Sequence, residues 1–161
     1  MKICILKETT QNEKRVALVP DVAKKLINDG FEVFIESGAG KQSDFSDDDY
    51  TEVGVTAGEA DKIIPNADII FSVKMPDIES IKKMKAEACL IGLLNPYDNH
   101  DQLKALSENN VNAFSMELVP RSPRAQSMDV LSSQSNLAGY KAIVDSSSMF
   151  NRAMPMMMTA A

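Results

Sequence analysis

Short apolar runs alternate with helix-like stretches of about ten residues, and this rhythm constrains the fold of the chain more than any other feature. KICILK (Lys2–Lys7), FEVFIE (Phe31–Glu36), ADIIFSV (Ala67–Val73), ACLIGLL (Ala88–Leu94) and VNAFSME (Val111–Glu117) read as five strands. Between the first two, Pro20 and Asp21 open a helix through VAKKLIND, and Gly30 stands where a helix stop belongs. Ser46 is placed to cap a short acidic-headed helix, and residues 57–67, 75–86 and the DQLKALSENN stretch continue the helical connections. Strands separated by helices pair in parallel through crossovers. The expected fold is α/β: an open, mainly parallel five-stranded sheet with helices on both faces, over residues 1–124, followed by a long C-terminal helix from about residue 125 to 150. In that helix Val130, Leu137 and Val144 recur at sevens. Gly139 in its middle reads equally as a close-packing point or as a tolerated surface glycine. MPMMMTAA at the end reads as an element that continues.

Composition narrows the function classes. Of 161 residues, 44% are hydrophobic and 25% charged, which suits a soluble folded domain. A formal net charge of −6 with no basic run argues against a nucleic-acid surface. No apolar stretch approaches the roughly 20 residues of a membrane helix, and the opening has no signal-peptide layout. A cytoplasmic protein without direct membrane insertion is the expectation. Cys4 and Cys89 sit in apolar runs and read as buried free thiols. His100 is the only histidine and stands beside a helix start without a ligand cluster, so no metal site is expected.

Few motifs carry chemistry. Gly38-Ala39-Gly40 follows a strand, but Ser43 stands where a third glycine of a dinucleotide fingerprint would be, and a tight turn explains the pair better. Downstream, Gln126, Asp129 and Ser132 are spaced by threes and could share one helix face, with Arg121 folding back from the preceding loop. A carboxamide, a carboxylate and a hydroxyl suit a ligand bearing both donors and acceptors; an ordinary polar helix face with Arg121 paired to Asp129 fits the same spacing. Arg15 and Lys74 lie near strand ends, where an open α/β sheet offers its ligand crevice, and could grip a carboxylate; solvated surface charges are the alternative.

The run VPRSPRAQSMDVLSSQSNLAGYKAI closely resembles the loop and helix of the NAD(H)-binding component of proton-translocating transhydrogenases. KETTQNEKRVALVP resembles the opening that this component shares with alanine dehydrogenases, and GFEVFIESGAG and MMMTAA fit as well. The resemblance implies reversible hydride transfer between NAD(H), bound here, and NADP(H), bound on a partner component, coupled to proton movement through a membrane component. It implies Gln126, Asp129 and Ser132 as catalytic orienters, and Arg121, Ser122 and Arg124 together with those three as cofactor contacts. It also implies a homodimer when complete, held peripherally at the inner membrane, with residues 125–161 leading into an NAD-binding Rossmann domain that this chain lacks. On its own the chain is then expected to be inactive.

Alanine dehydrogenase is the competing resemblance. There Arg15 and Lys74 would hold the substrate carboxylate, and a histidine acid/base follows the fourth strand. The matching position in GLLNPY is Asn95, and amino-acid dehydrogenation needs that proton relay. A non-catalytic module of a split protein is the third possibility.

Overall fold

The computed structural model describes residues 1–120 and 122–152, in two compact units, Met1–Val119 and the residues from Pro120 onward. The expectations for Arg121 and for the methionine-rich end lie outside the described residues.

The first unit is a six-stranded sheet built from β1 (Lys2–Ile5), β2 (Glu32–Glu36), β3 (Thr56–Gly58), β4 (Ile69–Lys74), β5 (Cys89–Leu93) and β6 (Asn112–Ser115). The spatial order is β3-β2-β1-β4-β5-β6 and every pairing is parallel. The sixth strand is β3. Three residues inside a stretch that reads as helical by composition extend as a strand because Phe34, Ile35 and Glu36 of β2 offer them a register. So short an edge strand has no periodicity of its own to betray it.

Helices lie on both faces. On one, α1 (Pro20–Asn28) and α2 (Asp47–Glu52) pack Ala23 and Tyr50 against Ile3, Ile5, Val33 and Ile35. On the other, α3 (Ala60–Ile63), α4 (Ile78–Lys83) and α5 (His100–Glu108) bury Ile63, Ile81 and Leu106 against Cys4, Ile70 and Leu90. The local signals hold. Gly30 takes φ +91 after α1, and Ser46 forms a full capping box with Asp49 at the head of α2.

The glycine pair after β2 makes a tight turn. Gly38 takes φ +75, and a Cβ on Gly40 would stand 2.6 Å from the Tyr50 ring and 2.9 Å from the Phe45 carbonyl. Tyr50 itself is fully buried and donates from Oη to the Leu18 carbonyl at 2.7 Å. Burial pushes its phenol up to about 12.

In the second unit, residues Pro123–Met128 form a 3-10 helix and α6 runs Val130–Met149. The long helix therefore starts five residues later than its sequence suggests. None of its residues is buried: Leu137, Tyr140, Ile143 and Val144 are all exposed. A Cβ on Gly139 would meet nothing within 4 Å, so this glycine is not a packing point.

Gly40→Ala is expected to lower stability by about 1–3 kcal/mol, since the new methyl must displace a packed ring and a carbonyl. Urea denaturation of the two proteins measures this; an unchanged midpoint would show that the turn has room to open.

Candidate functional site

In an open parallel sheet the ligand crevice forms where strand order reverses, here between β1 and β4. The two strands part beyond Ile5, and the β4–β5 register shifts between Phe71 and Lys74. The Val73 and Lys74 amides at this place donate to one carboxylate, Glu8, at 2.6 and 3.1 Å. Burial raises the Glu8 pKa above its ordinary value despite these two bonds.

Arg15 stands beside it in an ion pair with Glu13. Nε donates to Oε1 at 2.8 Å and Nη2 to Oε2 at 2.7 Å, and the Arg15 amide adds a third bond at 3.1 Å. The Glu13 side chain is only 9% exposed, and the paired guanidinium holds its carboxyl below the usual range. Lys74 adds its charge to Glu13, and its ammonium has no ion pair among the described residues. Two adjoining cavities open here, of about 190 and 290 Å³. Lys74 and the buried Ser72 line the smaller, Arg15 and Glu13 the larger, and Lys7 and Glu8 line both. The structure thus gathers Arg15 and Lys74 at one crevice. It adds Glu8 and Glu13, which sequence reasoning passed over because acidic residues in a polar loop read as solvated.

The glycine turn takes no part in holding a phosphate. The Gly38 amide is filled by the Asp47 carboxylate, at 2.8 and 3.2 Å.

The second candidate set lies at the head of α6. Asp129 is its N-cap: Oδ1 accepts from the Ser132 amide at 3.0 Å, and the Ser132 hydroxyl donates to Oδ2 at 2.6 Å. Ser133 donates to the Asp129 carbonyl at 3.0 Å. Asp129 and Ser132 are therefore joined directly, through a cap rather than along a helical stripe. Gln126 belongs to the preceding 3-10 helix and is tied to Asp129 by the main chain, Asp129 N to Gln126 O at 3.3 Å. Its carboxamide is exposed and makes no hydrogen bond among the described residues. Ser122 and Arg124 are exposed on the same segment.

Asn95 closes β5 in a left-handed conformation, φ +43. Its amide is held by the Glu117 carboxylate, and its side-chain NH2 donates to Asp98 at 2.7 Å. His100 is the exposed first residue of α5. Cys4 is buried with its thiol pushed up to about 12, whereas Cys89 is only half-buried, contrary to expectation. No cluster able to hold a metal ion and no helix long and apolar enough to cross a membrane occurs among the described residues.

The family model described as "Alanine dehydrogenase/PNT, N-terminal domain" matches residues 4–138. The chain is 45% identical, over its whole length, to the first of the polypeptides that make up the NAD(P) transhydrogenase subunit alpha of Rhodospirillum rubrum, of which it covers 44%. The solved transhydrogenase of Sinorhizobium meliloti superposes with a TM-score of 0.90 at 42% identity, over 99% of this chain and 48% of that one. An alanine dehydrogenase of Halomonas elongata is 30% identical over 89% of this chain and 38% of its own length. The chain therefore spans less than half the length of the proteins it matches.

Glu8 and Glu13 give the crevice opposite pH signatures. A raised folded pKa contributes stability that is complete below the unfolded value and is lost as pH rises through the folded one. The stability of wild type relative to Glu8→Gln is therefore expected to fall as pH rises above the ordinary glutamate range. A lowered folded pKa contributes stability present above the unfolded value and lost as pH falls through the folded one. The stability of wild type relative to Glu13→Gln is expected to grow as pH rises through the acid range up to the ordinary glutamate value. Denaturation midpoints across acid and neutral pH check both, and parallel profiles would refute the pairings.

Proposed function

The chain belongs to the alanine dehydrogenase/PNT N-terminal domain family, and we propose that it is the N-terminal part of the NAD(H)-binding component of a proton-translocating transhydrogenase. The observation that carries this reading is the head of α6, where Ser132 holds the Asp129 carboxylate and the Gln126 carboxamide stands exposed alongside. A nicotinamide ring carries a carboxamide, whose NH2 needs acceptors and whose oxygen needs a donor. Gln126 offers both, and Asp129 offers carboxylate oxygen. The donor set therefore fits the group.

In the reaction, a hydride leaves the dihydronicotinamide C4 of NADH and bonds to C4 of NADP⁺, giving NAD⁺ and NADPH. No proton passes to a substrate atom, so the residues that matter are those that fix ring orientation. Gln126, Asp129 and Ser132 act in this way, with Arg121, Ser122 and Arg124 as further cofactor contacts. Asp129 is itself fixed by the cap, so ligand orientation and helix start share one carboxylate. The Rossmann domain that binds the rest of NAD(H), the NADP(H)-binding component and the membrane component lie in the rest of the assembly. It works as a homodimer on the cytoplasmic side, peripheral to the inner membrane.

Asn95 favours this reading over amino-acid dehydrogenation. It occupies the place of the histidine acid/base in alanine dehydrogenases, and its side chain is committed to Asp98. The anion-gripping pair Arg15 and Lys74 remains in the crevice, a site for the carboxylate or phosphate of a bound ligand.

In the complete protein, Asp129→Asn is expected to slow NADPH-dependent reduction of an NAD analogue by about tenfold or more. Alanine-dependent NAD reduction should be absent, and its presence would overturn the assignment. The 161-residue chain alone is expected to bind NADH too weakly for calorimetry in the low micromolar range; tight binding there would show that the cofactor contacts lie within it.

A further inference from the structure

Parallel sheets bury both faces under helices, and one face of this sheet is only half covered. Along one register row, Ile5 of β1 is fully buried, Phe71 of β4 and Ile91 of β5 are half-buried, and Phe114 of β6 is 55% exposed. The next row runs the same way, from buried Ile3 through Ile69 to half-buried Cys89. Cys89, Ile91 and Phe114 belong to neither apolar core of the unit. The helices α1 and α2 serve β1 to β3 on this face, and no helix of the first unit serves β4 to β6 there.

We propose that this shelf over β4, β5 and β6 is the seat of one amphipathic helix supplied by the part of the family's chain that this sequence does not span. Size selects the occupant. Three strands are about 14 Å across and five residues about 17 Å long, roughly 240 Å². That matches a single helix about 10 Å wide. A separate partner needs about 800 Å² on each side for a stable complex, so the shelf is too small to hold a second copy by itself. A tethered helix is not under that limit, because attachment supplies a high effective concentration. The source is at hand: more than half of each transhydrogenase relative lies outside the match. The proposal rests on family membership and not on hydride transfer.

Cys89 reports on the shelf, and buried Cys4 serves as the internal control. The probe is the alkylation rate of Cys89 in this chain alone and in this chain joined to the remaining residues of the Rhodospirillum rubrum relative. Joining is expected to slow alkylation about tenfold or more, as burial protects a group that must open to react. Phe114→Lys in the joined protein is expected to restore the fast rate; the side chain is exposed, so the chain alone should keep its thermal midpoint. An unchanged Cys89 rate on joining overturns the proposal. So does shielding already present in the chain alone. If that shielding rises with concentration, a second copy is the cover. NADH binding by the joined protein is scored separately, so failure of the cofactor reading stays distinct.

Discussion

Where β1 and β4 part, two main-chain amides lose the strand that would have paired them, and the Glu8 carboxylate takes both. Buried amides without acceptors are costly, so this one side chain lets the sheet change direction without a fault at its centre. Everything polar in the first unit is arranged around that junction. Glu13 holds Arg15 side-on, Lys74 projects from the strand end that Glu8 secures, and Lys7 lies between the two cavities. The opposite pKa directions of the two glutamates follow from their partners. Glu8 meets neutral amides and feels chiefly desolvation, whereas Glu13 meets a guanidinium.

The strand–helix alternation made the architecture legible, because each main strand carries enough apolar residues to declare its period. β3 escaped because three residues cannot, and its existence depends on the edge of β2. The start of the long helix was misplaced for a similar reason. Residues 123–128 have helical spacing, but Pro123 and the Asp129 cap divide a 3-10 turn from α6. At the site, spacing found Gln126, Asp129 and Ser132 as a set, yet their linkage is a cap bond and a main-chain bond instead of a shared face. The acidic partners Glu8 and Glu13 left no sequence signal, since a carboxylate that ties main-chain amides has the same composition as one in water.

The two sites of the chain ask different things of their residues. The crevice is built from charge: two carboxylates set against Arg15 and Lys74, enclosed enough to perturb ionisation. The head of α6 is built from hydrogen-bond direction. Asp129 is held by the amide and hydroxyl of Ser132, which fixes the direction of both carboxylate oxygens. A site that only orients a ring has no need of a perturbed acid or base, so exposure is compatible with the proposed work there.

Asn95 ties the crevice edge to this division. A residue at the end of β5 must turn in the left-handed region, which asparagine tolerates well. With its amide held by Glu117 and its side chain by Asp98, Asn95 closes the loop after β5 structurally. A histidine there would have to leave that side-chain bond to face the crevice as a proton relay. The loop is thus consistent with a chemistry that moves a hydride between two rings and asks no proton of this edge. It leaves Arg15 and Lys74 able to bind an anionic group without acting on it.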